Sequence, residues 1–505
     1  MKTPPNSIVP RLFLGVAALF LGAACSCSGG SEHPNVILIV VDTLRADRVG
    51  CYGYSRPTTP EIDDLAKDGM RFENCVAQAP WTLPSMSSML TSRYLTQHRE
   101  WPEPEVVPLA ECFQQAGYAT VGVSANVLLA KDHHFDRGYD DYDASFGPAD
   151  NDGRPFDMLY DAIWAPVEKA LATKKPLFLS VQPFDPHFTY KPHPEFDAQL
   201  PCDGAVPAQP SGWWQKTLAE SGVPAPADGP DWGDHARALQ HLRGQYEQEV
   251  RFTDEWLGKT LARLKELGVL ENAVVAIVSD HGEGLWEHKN KGARSFLKEW
   301  LATKGPDGYF FAGHAHHVYE EAIHTPMILW GKNVPRGVSS APVENSDLYP
   351  TLCALAGIEP PKSKAGRPQC VGRDLTPLFA APKELPAGWR DHTFSFAYNV
   401  ATVREHSTGL KLVTPTCSFT DVEQFGIPVE LFHLPSDPHE RTNLASARPA
   451  DVARLTKLLQ QEIVKHPTVT TWGMKKPDET AVLQGLGYIG FGEGDRPNPS
   501  VLCTQ

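Results

Sequence analysis

The chain has 505 residues and is therefore longer than a domain with a single hydrophobic core usually is, so we expect two subdomains. Hydrophobic residues make up 41% of the chain and charged residues 21%, which are ordinary values for a folded soluble protein. The formal net charge of −15 argues against nucleic acid or an anionic membrane surface as a partner, but a bound metal can invert the field locally for an anionic substrate.

The N-terminal segment has the layout of a secretory signal. Basic residues precede an apolar run that is too short to span a bilayer as a helix. The run ends in LGAAC over residues 21–25, which resembles a bacterial lipoprotein box with Gly22 in place of the usual leucine. We therefore predict a signal segment over 1–24, removed either by plain cleavage or with lipidation of Cys25, and a tether over 25–33. Either route exports the protein to the periplasm or cell envelope.

Short apolar runs then alternate with helical patterns, which is typical of βαβ units and a parallel sheet. The first run, Asn35–Val41, is continuously apolar and β-branched and predicts a buried strand. The same pattern recurs in Thr120–Ser124, Leu177–Gln182, Ala273–Ser279 and Met327–Trp330. Between these runs, Thr59-Pro60-Glu61 predicts a helix start, and apolar residues at helical spacing from Leu239 to Leu264 predict a long helix over the sheet.

Two long segments interrupt this alternation. Pro192–Gly233 is rich in proline, glycine, alanine and tryptophan, and Asn290–Phe311 separates two motifs that carry histidines. Loops of this length in α/β enzymes often shape the entrance to the active site. We therefore expect both segments to be insertions that contribute to substrate selection.

The parallel-strand pattern fades from about residue 386 onward. Short strands over Thr393–Phe432, followed by a helix near Ala450–Lys465, predict a small C-terminal α+β subdomain. We predict an α/β catalytic domain with a central, mostly parallel sheet over 34–386, the C-terminal subdomain over 387–475 and a tail over 476–505.

Three predicted strands end beside residue types that bind metals. Asp42 follows the first strand, Asp280-His281 follows a later one, and Asp185-Pro186-His187 comes shortly after a third. Ligands gather at the carboxyl ends of strands in open parallel sheets, so we expect these residues to lie close together. A single aspartate after a strand is usually a turn or a helix cap. Three such endings, two of them with histidine, predict a divalent-metal site.

A threonine supplies a candidate nucleophile. Thr82 lies just before a predicted helix whose first turn contains Pro84. The exposed amides and the dipole at a helix N-terminus favour negative charge, whether on an alkoxide or on a bound oxyanion. Thr82 is therefore either an ordinary helix cap or a nucleophile, and binding to a metal would make its hydroxyl far easier to deprotonate.

Several motifs occur in a fixed order between Asn35 and Ala445: Asp42–Asp47 with Gly50–Gly53, Thr58–Asp63, Thr82–Met86, Ser279–Glu283, Tyr319–Glu321 and Glu430–Leu444. In this order they resemble the motifs of the sulfatase family, in the alkaline phosphatase superfamily. The resemblance implies an alkaline-phosphatase-like α/β domain with a small C-terminal subdomain. It also implies that Asp42, Asp280 and His281 bind one divalent metal, with Thr82 as nucleophile and fourth ligand. The ion would be calcium, manganese or zinc, since a histidine ligand suits the latter two.

The resemblance also implies roles for histidines. His187 is similar to a histidine that contacts the charged group of the ester, and His314 to a second basic contact or leaving-group acid. His288 resembles a further substrate contact. His316 and His317 lie close enough to His314 to exchange roles with it, and any one of these residues could instead be an ordinary surface-loop histidine.

The chain departs from the family pattern at three positions. Classical sulfatases have a cysteine or serine that is oxidised to formylglycine where this chain has Thr82, and threonine cannot be converted by that route. Met86 replaces the signature arginine, and Thr43 replaces a second metal-binding aspartate. A threonine nucleophile favours phosphoryl transfer, whereas the overall motif pattern favours a sulfatase. The sequence therefore leaves open whether the ester is a sulfate or a phosphate.

The sequence thus predicts a metal-dependent hydrolase of the sulfatase family that cleaves sulfate or phosphate esters of a small molecule, glycan or lipid through Thr82. One alternative is a phosphoethanolamine- or phosphoglycerol-type transferase, although such enzymes usually carry several transmembrane helices before the catalytic domain. Another alternative is a non-catalytic binding lipoprotein that has kept the sulfatase fold.

Overall fold

A central eight-stranded sheet organises the fold in the computed structural model of the protein. The structure describes residues 33–94, 106–145, 153–188, 190–202, 232–290, 304–305, 308–315, 317–362, 369–397, 400–415 and 428–466. These residues all belong to one compact unit that begins at His33.

The strands in chain order are β1 (Asn35–Val41), β2 (Met70–Val76), β3 (Ala119–Ser124), β4 (Asp141–Asp143), β5 (Leu177–Gln182), β6 (Ala273–Ser279), β7 (Gly284–Asn290), β8 (Lys304–Gly305), β9 (Gly308–Gly313), β10 (Met327–Gly331), β11 (Gly337–Glu344), β12 (His392–Phe396), β13 (Val400–Glu405), β14 (Leu410–Pro415) and β15 (Glu430–His433). The α-helices are α1 (Pro60–Lys67), α2 (Thr82–Thr91), α3 (Leu109–Gln115), α4 (Phe156–Ala172), α5 (Trp232–Glu266), α6 (Glu320–Ile323), α7 (Leu348–Ala356) and α8 (Pro449–Lys465).

The large sheet is mostly parallel. Its strand order is β11-β2-β10-β6-β1-β5-β3-β4, and β10 alone in this sheet runs antiparallel to its two neighbours. Side chains alternate between the two faces along each strand. In β1, Leu38 packs into the core beneath α2, α3 and α7, whereas Ile39 packs into the core beneath α4 and α5. Both faces of β1 are therefore covered, which explains why its sequence is apolar throughout.

The C-terminal region adds a second, antiparallel sheet of four strands in the order β12-β13-β14-β15. Leu455, Leu459 and Ile463, at helical spacing on α8, pack against its apolar side chains. This confirms the predicted architecture, an α/β domain with a central, mostly parallel sheet and a smaller α+β region. The domain boundary at residue 386 stays a prediction, as does the tail over 476–505, which lies outside the described residues.

The predicted strands match the observed ones within one residue. β3 begins at Ala119 rather than Thr120, and β10 ends at Gly331 rather than Trp330. Two long strands of the sheet, β2 and β11, were not predicted. The sequence of β2 mixes charged and apolar residues, and β11 contains Pro342, so neither resembles a buried parallel strand.

The two predicted insertions lie largely outside the described residues. The long helix α5 nevertheless begins at Trp232, within the first of them, so it is longer than the predicted run from Leu239. Around the second, β7, β8 and β9 form a small three-stranded sheet that the sequence pattern did not indicate. Within the described part of the chain, no helix is both long and apolar enough to cross a membrane.

Candidate active site

The site lies at the carboxyl edge of the large sheet. Strands β5, β1 and β6 are parallel neighbours, and Val41 of β1 pairs with Ser279 of β6. Asp42 and Asp280 are the residues that follow these two strand ends, so the sheet places them side by side. Both carboxylates are fully buried. The predicted convergence of these residues is therefore present in the structure.

Three atoms with lone pairs meet at this point. His281 Nε2 lies 3.5 Å from Asp42 Oδ1 and 3.3 Å from Asp280 Oδ2. His281 Nδ1 lies 2.8 Å from the carbonyl oxygen of Gly282, so Nδ1 carries the proton and donates it there. Nε2 consequently presents its lone pair to the two carboxylates. This donor set fits a divalent cation with oxygen and imidazole ligands, because a cation satisfies all three atoms at once.

The electrostatics of the bare protein agree with that fit. Burial, followed by repulsion from Asp280, raises the pKa of Asp42 well above its ordinary value. Burial raises the pKa of Asp280 to about 7 and lowers the pKa of His281. These shifts follow from the cost of burying like charges without a counter-charge, and a bound cation would reverse them.

Thr82 is the first residue of α2 and faces the same cluster. The residue at the N-cap position is Trp81, so Thr82 is not the cap of this helix. Its Oγ1 lies 3.2 Å from His281 Nε2 and 3.5 Å from Asp42 Oδ1. The Ser85 hydroxyl, one turn later, donates to the Asp280 carbonyl oxygen over 2.5 Å and ties α2 to the end of β6. Thr82 thus lies at a helix N-terminus with its hydroxyl among the candidate metal ligands.

Thr43, which occupies the position of a second metal-binding aspartate in the family pattern, contributes its backbone. Its φ of 54° lies in the left-handed region, which is costly for a β-branched residue. Its amide donates to Asp280 Oδ1 over 3.3 Å, and its carbonyl accepts from the Tyr246 hydroxyl over 2.8 Å. Tyr246 on α5 therefore helps to hold a strained turn whose amide orients Asp280.

Two predicted histidines stand beside the cluster. The ring of His314 lies 4.4 Å from that of His281 and 4.9 Å from that of His187, measured between centroids. His314 Nδ1 lies 3.0 Å from Glu283 Oε1, which orients the ring. Burial, and then the nearby His314, lower the pKa of His187 to about 3, and its Nδ1 donates to the Phe188 carbonyl. His187 is therefore a neutral imidazole whose Nε2 is a proton acceptor.

The structure does not place His288 with these residues. His288 Nδ1 lies 2.5 Å from Glu321 Oε1 and its Nε2 lies 2.8 Å from the carbonyl oxygen of His439, while its ring stacks on Tyr319. Both ring nitrogens thus face acceptors of the protein itself, one of them in the loop after β15. His316 lies outside the described residues, and His317 is a buried histidine beside Tyr319 whose pKa burial lowers to about 4.

Three further residues of the site were missed at the level of sequence. Asn126 and Gln182 both donate hydrogen bonds to Asp42 Oδ2, over 2.8 Å and 3.0 Å. Glu283 is fully buried against His314, and burial raises its pKa to about 7. Two of them could have been found from the sequence. Gln182 is a polar residue at the end of an apolar strand, and Glu283 belongs to the SDHGE motif. Asn126 comes two residues after β3, and no sequence motif marked it as a site residue.

Comparison with known proteins identifies the family. A family model for sulfatases matches residues 34–358. The chain belongs to the sulfatase family. The predicted identity as an ester hydrolase of this family is thereby confirmed, and the family comprises sulfuric ester hydrolases.

Two curated sulfatases resemble this family member over most of its length. It is 26% identical over 498 residues to the N-acetylgalactosamine-6-sulfatase of Canis lupus familiaris, covering 89% of either chain. It is 24% identical over 574 residues to the N-acetylglucosamine-6-O-sulfatase of Bacteroides thetaiotaomicron, covering 96% of this chain and 95% of the relative.

Solved structures share the fold of this sulfatase-family chain. A protein in complex with its substrate D-glucosamine-2-N,6-O-disulfate superposes with a TM-score of 0.62 at 20% identity, covering 86% of this chain and 98% of that one. The phosphonate monoester hydrolase of Silicibacter pomeroyi superposes with a TM-score of 0.63 at 21% identity, covering 86% and 96%. The same fold thus occurs in proteins named for sulfate and for phosphonate esters.

The contacts of His288 generate a prediction about pH and stability in this sulfatase-family protein. Burial opposes protonation, but the hydrogen bond to Glu321 raises the pKa of His288 above its ordinary value. A raised pKa stabilises the fold fully below the unfolded-state pKa of about 6.5, and this stabilisation is lost as pH rises through the folded pKa. We expect His288→Gln to lower the free energy of unfolding by about 1.5–3 kcal/mol at pH 6 and by less at pH 9.

Urea unfolding of wild type and variant at the two pH values measures this difference. His433→Gln serves as the control, because His433 bonds the Ser436 hydroxyl rather than a carboxylate, and we expect a small change at both pH values. An equal destabilisation by His288→Gln at pH 6 and pH 9 would contradict the protonated pairing.

Proposed function

We propose that the chain is a metal-dependent ester hydrolase in which Thr82 is the nucleophile. One observation carries the proposal: Thr82 Oγ1 lies 3.2 Å from His281 Nε2 and 3.5 Å from Asp42 Oδ1, at the N-terminus of α2. A hydroxyl in this position would contact a metal held by Asp42, Asp280 and His281, close to the helix amides that favour a bound oxyanion. That combination is what an activated hydroxyl nucleophile requires.

Asp42, Asp280 and His281 would hold one divalent ion, with Thr82 Oγ1 as a fourth ligand. When bound, such an ion lowers the pKa of a coordinated hydroxyl and stabilises charge on an ester oxygen. The oxygen ligands suit calcium, and the imidazole ligand suits manganese or zinc as well.

The residues of the chain then have separate tasks. Thr82 would release its hydroxyl proton to solvent on binding the ion, and its Oγ1 then forms a bond to sulfur or phosphorus while the bond from that atom to the ester oxygen breaks. His314, whose ring is oriented by the hydrogen bond between its Nδ1 and Glu283 and lies next to His281, protonates the leaving alcohol. His187, whose Nδ1 donates to the Phe188 carbonyl, would take a proton from the water that releases Thr82 once a bound anionic ester raises its low pKa.

A sulfate ester of a glycan is the substrate class that the family favours. The relatives named above act, by their names, on sulfated N-acetylhexosamines, and one solved neighbour holds a disulfated glucosamine. A phosphate or phosphonate ester is the second candidate. Thr82 favours this second candidate. A formylglycine hydrate expels sulfate with its second hydroxyl, and a threonine has no second hydroxyl. A neighbour of this fold is named a phosphonate monoester hydrolase.

We expect Thr82→Ala to lower kcat/KM by about 10³-fold or more, since it removes the atom that forms the covalent intermediate. The measurement is turnover of an aryl sulfate, an aryl phosphate monoester, an aryl phosphonate and a phosphodiester by metal-loaded protein. Thr91→Ala is the matched control, because Thr91 lies at the other end of α2 and bonds the Ser87 carbonyl. It should keep the wild-type rate.

Each outcome of this panel decides between the candidates. Loss of sulfate turnover in Thr82→Ala would establish a sulfatase with a threonine nucleophile, and loss of phosphoester turnover would establish the second candidate. Full activity in Thr82→Ala would refute the nucleophile. Wild-type protein without turnover on every ester would favour the transferase or the binding lipoprotein.

Metal binding is tested separately from turnover. We expect wild type to bind about one divalent ion per chain. Asp280→Asn should weaken the affinity for that ion by more than roughly 10–100-fold, which is the loss typical when a residue that only hydrogen-bonds a metal ligand is removed. Isothermal calorimetry with Mn²⁺, Ca²⁺ and Zn²⁺ on stripped protein measures the dissociation constant. Asp391→Asn is the control, because Asp391 belongs to a different cluster, with His392 and Glu405. Weaker binding in the control alone would place the ion there instead.

The proposed location follows from the N-terminal segment. The signal over 1–24, the lipidation of Cys25 and the tether over 25–33 rest on the sequence, and residues 1–32 lie outside the described part of the chain. We propose export to the periplasm or cell envelope. The mass of the N-terminal peptide of the mature protein distinguishes lipidation from plain cleavage.

A further inference from the structure

A closed ring of hydrogen bonds holds Asp42 from the side opposite the candidate metal. Asn126 Nδ2 and Gln182 Nε2 both donate to Asp42 Oδ2, over 2.8 Å and 3.0 Å. The Ser124 hydroxyl donates to Gln182 Oε1 over 2.7 Å and accepts from the backbone N–H of Asn126 over 3.2 Å. The ring therefore joins the carboxyl ends of β1, β3 and β5.

The ring fixes the orientation of both side-chain amides. Asn126 Oδ1 accepts from the Leu128 amide over 2.9 Å, so its Nδ2 must face Asp42. Gln182 Oε1 is engaged by Ser124, so its Nε2 must face Asp42 as well. Both side chains are almost completely buried, where a reversed amide would leave a polar atom without a partner.

The consequence concerns which oxygen of Asp42 is left for a metal. Oδ2 accepts two hydrogen bonds and is fully occupied, whereas Oδ1 lies 3.5 Å from both His281 Nε2 and Thr82 Oγ1. The two donors are neutral amides, so they direct the carboxylate without competing with the cation for its charge. A lysine in either place would form an ion pair with Asp42 and oppose metal binding.

We propose that Gln182 is a positioning residue for Asp42, and that Asn126 is a positioning residue that also contacts the nucleophile. This inference rests on the proposed metal-dependent hydrolysis. The two residues differ in one distance. Asn126 Nδ2 lies 3.4 Å from Thr82 Oγ1 as well as 2.8 Å from Asp42, whereas Gln182 reaches Asp42 and Ser124. Gln182 therefore acts through the metal ligand, and Asn126 acts on both the ligand and the reacting oxygen.

The test compares Gln182→Met and Asn126→Ser with wild type. Methionine matches the length of glutamine without a donor, and serine preserves the cap to the Leu128 amide but is too short to reach Asp42. Gln248→Met is the matched control, since Gln248 is equally buried and donates to Asp197 and to the Leu200 carbonyl. Near-ultraviolet circular dichroism establishes that each variant is folded, and Gln182→Ala replaces Gln182→Met if the latter is not.

The first measurement is the dissociation constant of Mn²⁺ on metal-stripped protein by calorimetry. We expect Gln182→Met and Asn126→Ser to raise it roughly 10–100-fold, as loss of an outer partner of a ligand does, with Gln248→Met within about threefold of wild type. The second measurement is kcat at saturating Mn²⁺ on the ester that wild type cleaves. The kcat of Asn126→Ser should be at least about tenfold lower than that of Gln182→Met, because Asn126 also contacts Thr82 Oγ1.

Folded variants that bind Mn²⁺ within threefold of wild type would overturn the positioning role of both residues. Recovery of the full kcat by Asn126→Ser would overturn its contact with the nucleophile and leave only the positioning role. If wild type turns over no ester, the proposed hydrolase fails, yet the calorimetric comparison still decides whether the ring orients Asp42.

Discussion

The burial of two carboxylates beside one imidazole lone pair is the constraint on which the rest of the structure depends. Asp42 and Asp280 follow neighbouring parallel strands, and both lie out of reach of water. Like charges in such a place are costly unless a cation or a proton compensates them. The same arrangement gathers two carboxylates and an imidazole lone pair into a donor set that fits a divalent cation.

The surrounding elements fix the geometry of that set rather than its charge. The Thr43 amide, the Ser85 hydroxyl and the Asn345 side chain bond Asp280 through its carboxylate or its carbonyl oxygen. Each of them belongs to a different element, namely the turn after β1, helix α2 and the turn before α7. Because these contacts act on Asp280 from three directions, small movements of any one element would be resisted by the other two. Three separate elements thus hold Asp280 in place, the kind of preorganisation that a catalytic site requires.

The sequence was sufficient to bring the candidate metal ligands together, but it did not reveal the residues that hydrogen-bond them. Asp42, Asp280 and His281 directly follow strands whose apolar runs are unmistakable, so strand prediction alone brought them together. Asn126 and Gln182 act through contacts between residues 58 to 140 positions apart, and no local pattern encodes such pairings.

His288 shows that closeness to a motif in sequence does not fix a position in space. It follows the metal motif closely in sequence and was therefore expected near the substrate. The strand β7 instead carries it to Glu321 and the His439 carbonyl, where it binds the loop after β15. Sequence proximity to a catalytic motif does not fix the direction in which the chain leaves it.

Thr82 places a demand on the second half of the proposed reaction. A formylglycine hydrate can expel the acid group with its own second hydroxyl, but a threonine cannot. An outside water must therefore attack, and a group at the site must accept its proton. A permanently charged lysine or arginine could not do so at neutral pH, whereas His187 is neutral, with its Nδ1 proton committed to the Phe188 carbonyl. Burial keeps His187 uncharged but also makes it a weak base, so a bound anionic ester beside the ring would have to raise its pKa before it could take a proton from water at neutral pH.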